Sequence, residues 1–165
     1  MERLWAPWRL AFVEGSEEKP QGCIFCLFPK EGRDRERLVL GRSAHAFVIL
    51  NKYPYNNGHL LVVPGAHVAD PAELAEEAFL DLQRLLRASI AVVREVYGPD
   101  ALNVGMNLGR AAGAGIADHL HWHVVPRWAG DVNFMPVLAE TRVIPEHLDA
   151  TWAKLRPAFD RALGA

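Results

Sequence analysis

Three histidines, His119, His121 and His123, alternate with Leu120, Trp122 and Val124 in the stretch H-L-H-W-H-V-V-P-R-W, residues 119–128. A period of two is that of a half-buried strand with one apolar face, and here the other face carries the imidazoles. At a rise of roughly 3.3 Å per residue, alternate side chains stand about 6.5–7 Å apart, so a phosphate-sized group can touch more than one. Three of the chain's seven histidines fall in this strand, which favours chemistry over a merely solvated polar face. Two chemistries fit. A neutral imidazole can attack phosphorus to give a covalent phosphoramidate that a second nucleophile resolves. His121 is then the natural attacker, oriented or polarised by its neighbours. Alternatively, the imidazoles bind zinc and activate water at an open position. In that case the strand must bend to bring His119 and His123 to one ion.

Cys23 and Cys26 form a C-x-x-C pair, a spacing that suggests metal or redox chemistry more than a structural disulfide in a reducing compartment. No βαβ unit surrounds it, which argues against the redox motif. Two thiolates do not close a zinc site, so a zinc reading needs two further ligands, with histidines the best candidates.

These groups need a scaffold. Strand signals occur at 38–40, 44–50, 59–63 and 101–108, and N-K-Y-P-Y-N-N-G at 51–58 predicts a hairpin connection between two of them. Asp70-Pro71-Ala72-Glu73 reads as a capped start for a helix of about 25 residues, whose stripe of Leu82, Leu85, Leu86, Ser89, Ile90, Val93 and Val96 runs until Gly98-Pro99 stops it. The loop G-R-A-A-G-A-G-I-A-D, residues 109–118, leads directly into the histidine strand, and its backbone N–H groups are open to a phosphate. Leu148, Trp152, Leu155, Phe159 and Leu163 form a second helical stripe, predicted to kink or end near Leu155 because of Pro157. Trp5 and Trp8 are read as covering a core edge or a partner subunit.

A chain of 165 residues, 50% apolar and 23% charged, suits one domain. A net charge of -2 offers no basic field for a nucleic-acid polymer or a membrane surface, so a phosphate ligand must be held by local groups. No apolar run approaches the roughly 18 residues of a membrane span, and the first ten residues lack a secretory pattern. A cytoplasmic protein is expected.

On these residues the sequence resembles the histidine-triad (HIT) family. H-L-H-W-H-V-V matches its signature, and Ala112-Gly113, Pro126-Arg127, A-F-V-I-L-N-K-Y-P at 46–54 and G-H-L-L-V-V-P at 58–64 extend the match over about residues 23–130. The resemblance implies an α+β fold with about five antiparallel strands, one long helix and a C-terminal helix, in a homodimer through a shared sheet. It implies one HIT domain over residues 1–165, with a core at about 23–130, an N-terminal arm at 1–22 and a C-terminal extension at 131–165. It makes His121 the nucleophile toward the α-phosphorus of a nucleotide, with His119 fixing its tautomer and His123 touching phosphate oxygens. Asn51 falls at a ribose-binding position, His59 at a supporting histidine, and Asn107 and Gly113 at phosphate-contacting positions. Some bacterial members with a C-x-x-C pair resemble zinc proteins, which here assigns Cys23, Cys26, His67 and His119 to a closed structural site. His45 and His147 receive no role. R-L-W-A-P-W-R near the start and R-W-A-G-D-V-N-F-M-P after the triad resemble members that split diadenosine tetraphosphate with inorganic phosphate, giving ADP and ATP. Hydrolysis of dinucleoside polyphosphates or adenosine phosphoramidates, and a nucleotide sensor with negligible turnover, are the alternatives.

Overall fold

The computed structural model describes residues 21–131, 144 and 146–164. In chain order these form helix α1 (Ile24–Leu27), strands β1 (Val39–Arg42), β2 (Ala46–Leu50) and β3 (Leu60–Pro64), helix α2 (Glu76–Tyr97), strands β4 (Ala101–Met106) and β5 (Trp122–Arg127), and helix α3 (Leu148–Leu163). The strands make one five-stranded sheet, ordered β1-β2-β3-β5-β4, with every neighbouring pair antiparallel. This is the α+β architecture expected from the sequence. The expected turn at 51–58 connects β2 to β3.

Every residue of β2 and β3 is buried, so both faces of the sheet are covered. Alternation divides their side chains between two apolar layers. Val48, Leu60, Val62 and Val124 meet Leu82, Leu85 and Val93 of α2 and Leu155 and Phe159 of α3. On the opposite face, Phe47, Ile49, Leu61 and Val63 pack under Phe25 of α1. Each buried Leu or Phe contributes roughly 1.5–3 kcal/mol by leaving water. The helices α2 and α3 cover one face of the sheet, and Phe25 covers the other. Gly41 in β1 lets α3 approach, because a Cβ there would lie 2.6 Å from Leu163 Cδ1.

Three expectations are corrected. Asp70 is a cap, accepting from the Ala72 N–H at 2.8 Å, but it caps a single 3-10 turn, Pro71–Glu73. Leu74 then leaves helical geometry and packs against the core, so α2 begins at Glu76 and has 22 residues. Gly98, at φ +53°, ends it as expected. Helix α3 runs through Pro157 to Leu163. Proline removes the bond to the Ala153 carbonyl, but both residues are exposed, so water can reach that carbonyl while Leu155, Ala158 and Phe159 anchor the buried stripe on either side.

The third correction concerns the histidine strand. Pairing begins only at Trp122. Pro64 has no N–H to donate and ends the β3–β5 ladder, and the Leu120 N–H bonds to the Val68 carbonyl at 2.7 Å instead. His119 and His121 therefore extend beyond the paired strand. No described helix is long and apolar enough to cross a membrane. Trp5, Trp8 and the extended segment expected from residue 132 onward lie outside the described residues.

Candidate active site and metal centre

Hydrogen bonds fix which nitrogen of each triad ring carries its proton. His121 Nδ1 lies 2.8 Å from the His119 carbonyl oxygen and can only donate to it, which leaves a lone pair on Nε2. His119 Nε2 lies 2.9 Å from the Pro64 carbonyl and likewise donates, leaving the lone pair of His119 on Nδ1. The proline that stops the ladder thus orients the first histidine with the carbonyl it leaves over.

His123 is set by a longer relay. The Tyr55 N–H donates to His59 Nδ1 at 2.9 Å, so His59 carries its proton on Nε2. That Nε2–H donates to His123 Nδ1 at 3.0 Å. His123 must then hold its proton on Nε2, an atom that is buried and has no partner among the described residues. A buried donor without an acceptor costs roughly 1–3 kcal/mol. The Tyr55 ring stacks on His123 at 5.8 Å and 12°. Asn51 accepts from the Tyr53 N–H at 2.9 Å and sets its amide nitrogen 3.4 Å from His59 Nδ1, which secures the same turn.

Burial is deep. His119 is 0%, His59 1% and His121 6% exposed, so the expected half-exposed face is in fact covered. The cover is Phe25, whose ring lies 5.4 Å from that of His119 and 5.2 Å from that of His121. Desolvation, above all, pushes the pKa of each triad histidine down, with His123 reaching about 4. The triad is therefore neutral near pH 7, which keeps the Nε2 lone pair of His121 available as a nucleophile.

Four ligand atoms converge beside His119. Its Nδ1 lies 3.3 Å from Cys23 Sγ, 3.6 Å from Cys26 Sγ and 3.2 Å from His67 Nδ1, and Cys26 Sγ is 3.3 Å from His67 Nδ1. Zinc bond lengths of about 2.0–2.1 Å to nitrogen and 2.3 Å to sulfur place tetrahedral ligands about 3.3–3.8 Å apart. The spacing fits, and all four atoms lie within 4.8 Å of one another. The cluster could hold a metal, and two thiols with two imidazoles are a donor set suited to zinc. It would be closed by four protein ligands, leaving no position for a metal-bound nucleophile, and it leaves His121 and His123 uncommitted.

Met106, the last residue of β4, pairs with Trp122, and Asn107 follows it. A Cβ on Gly113 would lie 3.8 Å from Asn107 Nδ2, which joins the glycine loop to that asparagine. His45 is exposed and faces Glu77, and His147 precedes α3. Sequence reasoning missed the Tyr55 amide and the Phe25 wall. Phe25 carried a weak signal, being an apolar residue between two cysteines. A main-chain donor carries none.

A family model of the HIT domain matches residues 33–130. The AP-4-A phosphorylase of Mycobacterium tuberculosis is 38% identical over 158 residues, which span 92% of this chain and 80% of that protein. The adenosine 5'-monophosphoramidase of Schizosaccharomyces pombe is 34% identical over 105 residues, 64% of this chain and 74% of its own. A solved zinc-bound histidine triad family protein from Mycobacterium smegmatis shares the fold at a TM-score of 0.67 with 26% identity, covering 85% of this chain and 94% of that one.

Proposed function

This chain belongs to the HIT family and is an enzyme of that family, and on that premise we propose that it cleaves dinucleoside polyphosphates, with diadenosine tetraphosphate split by inorganic phosphate into ADP and ATP. The observation that carries this reading is the neutral His121, whose Nδ1–H is held by the His119 carbonyl, which leaves the lone pair on Nε2. The Nε2 lone pair attacks the α-phosphorus, and a P–N bond forms as the P–O bond to the leaving nucleotide breaks. The His119 carbonyl stabilises the positive charge that builds on the ring. His123 Nε2–H donates to the phosphate oxygens as their charge grows. An oxygen of inorganic phosphate then attacks phosphorus, the P–N bond breaks, and His121 is restored.

His59 supports His123, Asn51 holds the ribose, and Asn107 with the Gly113 loop contacts the phosphates. Cys23, Cys26, His67 and His119 hold a structural zinc, which supplies a rigid cross-link between α1 and the triad. That reading draws support from the tetrahedral spacing and from the zinc-bound relative. The exposed edge strand β4 is the surface through which two copies extend the sheet.

The likeness to the adenosine 5'-monophosphoramidase favours a second reading, hydrolysis of adenosine phosphoramidates at the same His121. Incubation with diadenosine tetraphosphate, with and without phosphate, separates the two. ADP with ATP only when phosphate is present supports the phosphorylase, AMP in water alone moves the assignment to hydrolysis of dinucleoside polyphosphates, and no product at all moves it to adenosine phosphoramidates or to a sensor. His121→Asn should lose at least about a hundredfold in turnover while still binding nucleotide. Retained turnover in that variant would eliminate the covalent route, and tight binding without turnover in the wild type would indicate a sensor.

A further inference from the structure

Residues 51–58 join β2 to β3 and carry the Tyr55 N–H on which the tautomers of His59 and His123 depend. The sheet fixes the ends of this turn, with the Asn51 N–H bonded to the His59 carbonyl at 3.0 Å. Its middle is tied to another part of the chain through Asn56. Asn56 Nδ2 donates to the Asp131 carboxylate at 2.7 Å and to the Pro126 carbonyl at 3.1 Å, and both partners can only accept, which sets the orientation of the amide. Oδ1 of the same amide accepts from the Asn57 N–H at 3.0 Å, as that orientation requires. The Asn56 carbonyl accepts from the His59 N–H at 3.2 Å, so one residue meets both Asp131 and the relay histidine.

Asp131 is itself held. Arg127, the last residue of β5, donates to it through Nε at 2.8 Å and Nη2 at 2.6 Å, and Arg127 Nη1 reaches Asn103 of β4 at 3.1 Å. The Trp128 N–H donates to the carboxylate at 3.0 Å, and the Asp131 N–H returns a bond to the Trp128 carbonyl at 3.1 Å. These donors, Arg127 foremost, hold the carboxyl down to about 2, so near neutral pH it is ionised and purely an acceptor. Its bond to Asn56 joins this end of β4 and β5 to the turn.

We infer that Asp131 is a positioning residue for the reaction: it holds the 51–58 turn through Asn56, so that the Tyr55 N–H stays on His59 Nδ1 and His123 presents its Nε2–H. The inference rests on the reading of His123 as donor to the phosphate oxygens. Without this clamp the Tyr55 N–H leaves His59, whose proton is then free to move to Nδ1. His59 Nε2 becomes an acceptor and His123 Nδ1 takes the proton that donates to it. A lone pair on His123 Nε2 then faces the phosphate oxygens in place of a donor, so the loss falls on the step in which their charge grows.

The test compares Asp131→Ala with Asp131→Asn. Both lose the ion pair with Arg127, but asparagine keeps an oxygen for the Asn56 amide and alanine does not. On diadenosine tetraphosphate with inorganic phosphate, alanine should lower kcat about ten- to a hundredfold with KM changed less than about threefold, the scale of a small misplacement at a reacting group. Asparagine should stay within about threefold of wild type in kcat. Long-range proton–nitrogen NMR correlation of the histidine rings, in nucleotide-free protein, reads the tautomer directly. His123 should carry its proton on Nε2 in wild type and in Asp131→Asn, and on Nδ1, or averaged over both nitrogens, in Asp131→Ala. Circular dichroism and thermal melting check the fold. If Asp131→Ala does not fold, Asn56→Ala, which leaves Asp131 paired with Arg127, replaces it with the same readouts. Equal losses in the alanine and asparagine variants, no loss in either, or an unchanged tautomer with alanine overturns the inference. A wild type that turns over no substrate would instead overturn the proposed function, and the tautomer of His123 would still judge the clamp.

Discussion

His123 makes stability depend on pH in a way that can be calculated. Burial, and the neighbouring His121, lower its pKa from 6.5 to about 4. In the unfolded chain this imidazole takes up a proton near pH 6.5, whereas in the folded protein it refuses one until about pH 4. Above 6.5 the difference has no effect. As pH falls below that value the unfolded state gains a proton the folded state lacks, and stability is lost progressively until about pH 4. At about 1.4 kcal/mol per pH unit the full loss would be about 3 kcal/mol, and partial access of solvent to the ring reduces this to about 1–2 kcal/mol. The assay is urea unfolding of wild type and His123→Gln at a series of pH values from about 7.5 to about 4.5. The stability of wild type minus that of the variant should shrink toward acid by about 1–2 kcal/mol. Losses from the carboxylates, the other histidines and the metal site occur in both proteins and cancel in the difference. Parallel curves, or a gap that widens toward acid, would refute the account of a neutral, desolvated donor.

Further outcomes concern the metal site and helix α3. The purified protein should carry about one zinc per chain by elemental mass spectrometry, and Cys23→Ser should lower both that content and the melting temperature. A chelator should act slowly and with loss of structure, whereas instant inhibition of an intact fold would mean a catalytic metal. Pro157→Ala should stabilise α3 by about 1–3 kcal/mol in urea titrations, because a hydrated Ala153 carbonyl still lacks the helical bond and the ring still crowds the turn, and an unchanged midpoint would show that the proline costs this helix nothing.

Much of this was legible in the sequence where the signal is periodic. The two-residue alternation of the histidines, the α2 stripe and the order of strands come from side chains that must segregate between core and surface. The boundaries depended on competition that no local pattern shows. Leu74 leaves the helix because the core offers it burial, and α3 tolerates Pro157 because the orphaned carbonyl faces water. The depth of the triad was not legible either. Alternation predicts one covered face, but the second cover is Phe25, brought from far back in the sequence by the turn of α1 that carries the C-x-x-C pair. The four cysteine and histidine ligand candidates did meet, since Cys23 and Cys26 sit on one turn of α1 while His67 follows β3 and His119 precedes β5.

The relay behind His123 begins at a peptide N–H, not at a side chain. Nothing about the tyrosine ring is needed to tell His59 where to keep its proton, so the instruction is written in the path of the chain. Residue 55 can therefore change its chemistry freely as far as the tautomer of His123 is concerned, and of the twenty amino acids only proline would erase the message. The ring itself packs on the imidazoles of both His59 and His123. A mutational scan of side chains would report this position as a stacking contact and pass over the atom that polarises the site.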